Sequence, residues 1–204
     1  MITPSIITAP IQEAISLAEL KAQLRLDASG TSEDGALGIF RTAARQWFEW
    51  RTGRTVHQTT LEYVLDAWPG DDYIILPRAT PLIAISSAKY KNSSAVETTW
   101  SSAEYIADLD NIPGRLVLGS NYSWPSFTAY PSNPIRIRYS AGITTASPVT
   151  EADPVIKLPI LMLAAGLYAN RESEVITDRA RIEAIAIKYG VVAFIERNVV
   201  SFVF

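Results

Sequence analysis

Hydrophobic residues near the amino terminus recur at the spacing of a helix. Leucines at three- and four-residue intervals would line one helical face: Leu17, Leu20 and Leu24. Ser16 and Glu19 form a capping-box pattern, in which the serine hydroxyl accepts a bond from the glutamate amide while the glutamate carboxylate reaches back. We therefore predict a short helix that begins at Leu17 and is broken by the polar residues 27–30.

A longer amphipathic pattern follows this break. Thr31 or Ser32 is a helix-start signal, because acidic residues come next, in the first turn, where carboxylates complement the helix dipole. Apolar residues then recur three and four positions apart: Leu37, Phe40, Ala43, Ala44, Trp47 and Phe48. Gly53 is suited to a left-handed C-cap. The pattern predicts a second helix that ends near residue 53.

After Arg54 the hydrophobic period changes to two, which is typical of strands. Strand patterns separated by clusters of Pro, Gly, Asn and Ser occupy residues 61–65, 73–76, 82–90, 104–107, 115–118 and 135–139. In the last of them Arg136 and Arg138 alternate with apolar residues, so we expect both arginines to face outward. The middle of the chain is therefore predicted to be a mainly antiparallel β region.

Helical spacing returns in the last quarter of the chain. An apolar run over residues 154–170 contains Pro159, which either lies in the first turn of a helix that begins near Leu158 or kinks a longer helix. We favour the later start. Thr177 is suited to cap a final helix that ends at Gly190. The apolar residues beyond it need a partner or a core groove, since chain ends fray in water.

Together these elements predict an α+β fold: a small α-helical bundle of about four helices with a mainly antiparallel β insertion between helices 2 and 3. A chain of 204 residues fits one domain better than two. Within this predicted domain the helices occupy about 17–53 and 155–190, the β insertion about 58–142, and an apolar carboxyl-terminal tail about 191–204. With 48% hydrophobic residues the core needs neither metal nor disulfide, and the chain has no cysteine.

Charge and hydropathy restrict the classes of partner. The formal net charge is −3, and Lys and Arg are spread along the chain without the basic runs of a nucleic-acid clamp. No stretch approaches the ~18 uncharged apolar residues of a membrane span, and the amino terminus lacks the features of a secretory signal. The sequence predicts a soluble, unexported protein with no membrane partner.

Few residues suggest catalysis or metal binding. His57 is the single histidine, and no Gly-x-Ser-x-Gly motif exists to supply a nucleophile beside it. Asp108 and Asp110 resemble the start of a calcium loop, but Pro113 stands where that loop requires glycine. We therefore expect no catalytic residue, no metal ligand and no cofactor.

Two functions from other classes remain open beside a structural role. The tryptophans of the β region, Trp68, Trp100 and Trp124, offer a stacking platform for a carbohydrate, although core or interface packing is the simpler explanation. A hydrolase with two converging carboxylates is compatible with the 21 acidic residues, but no pair stands out.

From about Leu17 to Glu172 the chain carries short motifs in a specific order. The helical motifs are Leu17-Ala18-Glu19-Leu20-Lys21, Leu24-Arg25-Leu26-Asp27, Glu33-Asp34, Thr52-Gly53-Arg54, and Ile156-Lys157 through Asn170-Arg171-Glu172. The β-region motifs are Leu65 to Trp68-Pro69, Leu76-Pro77, Pro81-Leu82, Tyr90, Trp124-Pro125, and Ile135 to Gly142. In this order they resemble the gp6-like head-to-tail connector, or adaptor, proteins of tailed bacteriophages and gene transfer agents. Ile143 and Pro159 depart from the family's pattern.

The resemblance implies a non-enzymatic virion structural protein that uses no cofactor. It implies a ring of identical subunits, twelve in number, in the neck between capsid and tail, made in the host cytoplasm. Its partners would be further copies of itself, the portal protein and a stopper or other tail-side neck protein, and double-stranded DNA would pass through the channel without specific binding. A stopper or tail-completion protein is the related alternative.

The resemblance also implies roles for particular residues. In the family the carboxyl terminus engages the portal, a role that suits the apolar end of this chain: Val199, Val200, Phe202, Val203 and Phe204. Three arginines of the β region are candidates for a subunit interface or for the channel wall: Arg115, Arg136 and Arg138. The residues themselves do not decide between these two locations.

Overall fold

The computed structural model describes residues 4–143, 154–170, 182, 184–186, 190–196 and 199. These residues form two compact units, one of strands and one of helices. The β unit contains residues 4–10 and 58–143, and the helical unit contains residues 11–57 and the described residues from 154 onward. The chain is thus of the α+β class, and the organisation into a single domain stays a prediction.

Four helices have both ends among the described residues: α1 (Leu17–Leu24), α2 (Asp34–Thr52), α3 (Pro154–Ala169) and α4 (Val191–Glu196). The predicted capping box is confirmed, since the Glu19 amide donates to the Ser16 hydroxyl at 3.1 Å and the Ser16 amide donates to the Glu19 carboxylate at 2.8 Å. Gly53 ends α2 with a φ of 70°, in the predicted left-handed conformation. Two of the predicted boundaries therefore follow from local hydrogen bonding and backbone geometry.

Two predicted helix starts are wrong. The second helix begins at Asp34 with Glu33 at the N-cap position, so its start is not capped by Thr31 or Ser32 as predicted. Glu33 lies just before the first turn, and its carboxylate accepts a bond from the Tyr168 hydroxyl on α3. The third begins at Pro154, so Pro159 lies inside it. Proline removes one backbone donor there, but α3 buries residues along most of its length against the helical unit, and such packing supplies most helical stability.

The last predicted helix, from Thr177 to Gly190, falls mostly outside the described residues. Residues 182 and 184–186 are helical, and Gly190 has a φ of 69°, which suits a helix end. The residues that follow, Val191–Glu196, form α4.

A buried ion-pair network joins the first residues of the helical unit to α2. The guanidinium of Arg45 contacts Glu13 and Glu49, each at 2.8 Å. The second oxygen of Glu49 accepts the Val56 amide at 2.9 Å. Each carboxylate therefore has a charged partner, as buried ions require.

The β unit contains eight antiparallel strands: β1 (Ser5–Thr8), β2 (Thr59–Leu65), β3 (Tyr73–Ile75), β4 (Leu82–Lys91), β5 (Glu97–Trp100), β6 (Tyr105–Asp108), β7 (Arg115–Leu118) and β8 (Ile135–Ala141). One sheet has the order β1-β2-β8-β4-β5, and the other has the order β3-β7-β6. The six predicted strands are all present. β1 and β5, at the two edges of the larger sheet, were not predicted.

Both sheets contribute to a single buried cluster. The larger sheet supplies Leu61, Ala88, Ile135, Ile137 and Tyr139, and the smaller sheet supplies Ile74, Tyr105 and Leu116. Because side chains alternate between the two faces of a strand, these residues define the inner face of each sheet. The sheets share this core, so their outer faces point in opposite directions, away from it.

Candidate interaction surfaces

The outer face of the larger sheet carries two arginines bound to one glutamate. Alternation along β8 buries Ile135, Ile137 and Tyr139 and turns Arg136 and Arg138 outward, as predicted, with their side chains 46% and 45% exposed. Glu62 is the direct partner of Arg138 on β2. Its carboxylate accepts from Arg138 at 2.8 and 3.2 Å and from Arg136 at 3.1 Å.

Two lysines of β4 extend this set. Lys89 is the partner of Arg136 across the β4–β8 pair, and Lys91 lies two residues further along the same face. Lys89 binds Glu97 on β5 at 2.7 Å, while the Lys91 ammonium lies 4.2 Å from the centre of the Tyr130 ring. We call this surface the basic face: Lys89, Lys91, Arg136 and Arg138 with the carboxylates Glu62 and Glu97. It carries four positive and two negative charges.

The field of the basic face is reflected in the titration of Glu97. The hydrogen bond from Lys89 lowers the pKa of this carboxyl, and the charges of Arg136 and Lys91 lower it further. The cations of β4 and β8 therefore act together on one site although they belong to different strands.

The outer face of the smaller sheet is apolar at its centre. Tyr73, Val117 and Ile106 are direct partners across the three strands and form one row, in which Tyr73 and Ile106 are exposed. Beside this row Arg115 binds Asp108 at 2.7 Å, and its guanidinium carbon lies 4.9 Å from the centre of the Tyr73 ring. Arg115 thus lies on a different sheet from Arg136 and Arg138, and on the opposite side of the shared core.

Carboxylates border the apolar row at both ends. Asp71 is exposed two residues before Tyr73, the first residue of β3, and Asp110 is exposed two residues after Asp108, the last residue of β6, so alternation places them on the same side as those residues. The hydrogen bond from Arg115 lowers the pKa of Asp108, with further bonds from Asn111. We call this surface the acidic face: Tyr73, Ile106 and Val117 with Asp71, Asp108, Asp110 and Arg115. Asp72 lies opposite Leu118, which packs against the core, so it is not counted. The three carboxylates of the acidic face exceed its one cation.

The three β-region tryptophans pack against one another. Trp68 and Trp124 are stacked with ring centroids 4.9 Å apart, and Trp100 lies 5.5 Å from each. Every indole nitrogen donates a hydrogen bond inside the unit, to Pro125, Asp71 and Glu104. Trp100 is only 4% exposed. Trp68 and Trp124 are half-buried and pack against the core. The rings thus cover one another, whereas a carbohydrate platform needs ring faces open to solvent.

His57 and the pair Asp108 and Asp110 were the residues considered for catalysis or calcium binding. His57 is buried. Asp108 is bound by Arg115 and by Asn111, in the manner of a turn carboxylate. Within the described ranges, no group of three or more His, Asp or Glu side chains is arranged to hold a metal ion. The same residues include no helix that is long and apolar enough to cross a membrane.

The predicted portal-binding residues lie at the edge of what the structure describes. Val199 is exposed, with a relative accessibility of 42%. Val200, Phe202, Val203 and Phe204 lie outside the described residues. Their role stays a prediction, as does the assignment of Arg115, Arg136 and Arg138 to an interface or a channel. Sequence reasoning missed Glu62, whose partners are recognisable only once β2 and β8 are paired.

Comparison with known proteins supplies the family. Residues 14–114, about half of the chain, match the family described as phage gp6-like head-tail connector protein. The chain belongs to the gp6-like head-tail connector family. Its function is accordingly that of a structural connector. The matched segment runs from just before α1 of this connector to the residue before β7.

Solved structures resemble the connector over nearly its whole length. A chain from the neck of an empty gene transfer agent particle, computed with C6 symmetry, is 24% identical, with a TM-score of 0.77 over 99% of this chain and 97% of that one. Chains from a native gene transfer agent virion and from a native neck computed with C12 symmetry are 23% and 20% identical, each with a TM-score of 0.75 and the same coverage. At these identities the likeness establishes the fold. No curated protein matches the sequence.

Proposed function

We propose that this connector forms a ring of twelve identical subunits in the neck of a tailed phage or phage-like particle. The ring joins the capsid, through the portal protein, to a stopper or other tail-side neck protein. Double-stranded DNA passes through its centre without specific binding, and no catalysis is involved. The observation that carries the proposal is the full-length fold shared with chains of gene transfer agent necks, one of them computed with C12 symmetry, in a chain of the connector family.

The fold fits this role in its finer features. The β strands from β2 to β8 lie in the sequence between α2 and α3, which supports a helical bundle of about four helices interrupted by a β insertion. A closed ring also needs two different, complementary surfaces on each subunit. The β unit carries two outer faces of opposite charge. The apolar residues after α4 are proposed to engage the portal.

The nearest alternative within the same class is a stopper or tail-completion protein. The long α2 and the helical residues at both ends of the chain favour the adaptor position. The alternative of a carbohydrate-binding module is not favoured, because the three tryptophans are packed together and their indole nitrogens are bonded within the unit.

Electron microscopy of the chain, alone and mixed with its cognate portal, tests the proposal. We expect rings with twelvefold symmetry that stack coaxially on the portal. A stopper would instead bind a preformed portal–adaptor complex and leave the bare portal unoccupied. If the chain forms rings in neither sample and never binds the portal, the connector ring is ruled out.

A further inference from the structure

The β unit presents surfaces of opposite charge in opposite directions. The basic face lies on the outside of the larger sheet, and the acidic face lies on the outside of the smaller sheet. Inner-face residues of both sheets meet in one buried cluster, so the core separates the two faces. A subunit built in this way can bind one neighbour on each side.

We propose that the basic face of one subunit docks onto the acidic face of the next copy of this chain. The β unit would then form the contact between neighbouring subunits of the ring. This inference rests on the proposed ring function and assigns its self-interface to named residues. Two different patches on opposite sides of a subunit generate a heterologous contact, and such a contact closes into a ring when the rotation between neighbours permits.

Charge complementarity selects a second copy as the occupant. The whole chain is acidic, with a formal charge of −3, whereas the basic face has two more positive than negative groups. The acidic face supplies the opposite sign on the same molecule. Complementary potentials favour this orientation, and like-charged faces disfavour the reversed one.

Apolar area adds to the electrostatic match. Tyr73 and Ile106 are exposed in the central row of the acidic face, and Leu109 and Ile112 are exposed in the segment after β6. Exposed apolar side chains surrounded by charged ones are typical of protein interfaces. The arginines on the other side also suit an interface, because arginine is enriched in them and its planar group pairs well with carboxylates.

The arginine side chains of the basic face are preorganised for such a contact. Glu62 binds both Arg136 and Arg138, which fixes two long side chains that would otherwise lose rotamer freedom on docking. Arg136 gives one hydrogen bond to Glu62, so most of its donors stay available at a side chain that is 46% exposed. A neighbouring carboxylate can therefore bind without displacing Glu62.

Charge reversal on each face tests the contact. Replacement of Arg136 and Arg138 by glutamate would put two further carboxylates beside Glu62 and destabilise the sheet. The lysines are therefore the better targets. The first variant is Lys89→Glu/Lys91→Glu, and the second is Asp71→Lys/Asp110→Lys, which changes exposed residues at the two ends of the acidic face. The matched control is Arg25→Glu/Arg51→Glu, at exposed positions of the helical unit.

Each variant alone is expected to weaken self-association about tenfold or more in sedimentation velocity at low ionic strength, because its two faces then repel each other. A 1:1 mixture of the two variants should recover to within about threefold of the original chain, since every contact in an alternating ring again joins opposite charges. The control should assemble like the original chain, and circular dichroism should show all three folded.

The outcomes separate this inference from the ring proposal. If the original chain forms rings, alone or on the portal, and both variants do so equally well, the ring stands and these faces are not its contact. Failure of the mixture to recover also overturns the inference. If the original chain forms no ring even on the portal, the ring proposal is ruled out, and so is this inference, which depends on it.

Discussion

The carboxylate of Glu62 on β2 lies 2.8 Å from Nη2 of Arg138 on β8, its direct partner in the sheet. The same carboxylate also accepts a bond from Arg136, so one glutamate links two arginines that are adjacent on the same face of β8. The glutamate side chain is 10% exposed and the arginine side chains are about half exposed. Glu62 therefore organises the basic face from beneath.

Replacement of Glu62 by glutamine should destabilise the chain. Two adjacent guanidinium groups would lose their shared counter-charge, and we expect a loss of about 1–2 kcal/mol in the free energy of unfolding, measured by urea denaturation. Glu97→Gln removes the exposed partner of Lys89 on the same sheet and is the matched control, with an expected loss below about 0.5 kcal/mol. Equal losses in both variants would contradict the organising role of Glu62.

Arg115 should control the titration of Asp108. Its hydrogen bond lowers the pKa of this carboxyl, so the favourable interaction is present above the ordinary pKa of aspartate and is lost as the pH falls through the lowered value. In Arg115→Met the pKa of Asp108 should rise towards its ordinary value, as measured by carboxyl NMR titration. Arg136→Met, on the other sheet, should leave it unchanged. An unaltered titration in Arg115→Met would show that Asn111 alone determines the shift.

The helical unit should depend strongly on Arg45. Its side chain is 6% exposed and binds both Glu13 and Glu49, so Arg45→Met removes a guanidinium that two largely buried carboxylates share. We expect a loss of about 3 kcal/mol or more in the free energy of unfolding. Arg51→Met, at an exposed position of the same helix, should cost less than about 0.5 kcal/mol. A small loss for Arg45→Met in chemical denaturation would mean that the two carboxylates find other partners or water.

Deletion of residues 199–204 tests the proposed portal contact. The truncated chain should lose affinity for the portal in a pull-down or by surface plasmon resonance, because the removed segment is apolar and is proposed to be buried against the portal. Its self-association should be retained, since both faces of the β unit remain. Full portal binding by the truncated chain would remove the tail from the interface.

Local signals were sufficient for several elements of the fold. The capping box at Ser16 and the glycine cap at Gly53 depend on hydrogen bonds and backbone geometry within a few residues, and both are present. The alternation in β8 also predicted which residues are buried, because one face of a strand in a shared core must be apolar. Such features need no knowledge of the distant chain.

The errors have non-local causes. Glu33 was predicted inside the first turn of α2 but lies just before it, where its carboxylate binds Tyr168, 135 residues away in sequence. Pro159 would break an isolated helix, and the packing of α3 overrides that preference. β1 and β5 are four-residue edge strands whose patterns are too short to predict without their partners β2 and β4. The same applies to Glu62, whose role depends on the β2–β8 register.

The candidate surfaces were predicted in part. The sequence indicated that Arg136 and Arg138 point outward, and the structure places them together with Lys89 and Lys91. The sequence does not indicate that Arg115 lies on the opposite side of the core from these residues, because that location depends on how two separate sheets share one buried cluster. Charge patterns along a chain do not reveal which charges share a surface.

The alternation in β8 assigns the stability of the fold and the proposed binding of a neighbour to different residues of one strand. In the proposed contact, substitutions at the outward positions of β8 change which neighbour the subunit binds, while the inward positions that join the two sheets remain unchanged. Two lineages of this protein can therefore keep one architecture and diverge in their outward charges. When both are made in the same cell, their subunits are expected to sort into separate rings instead of mixed ones.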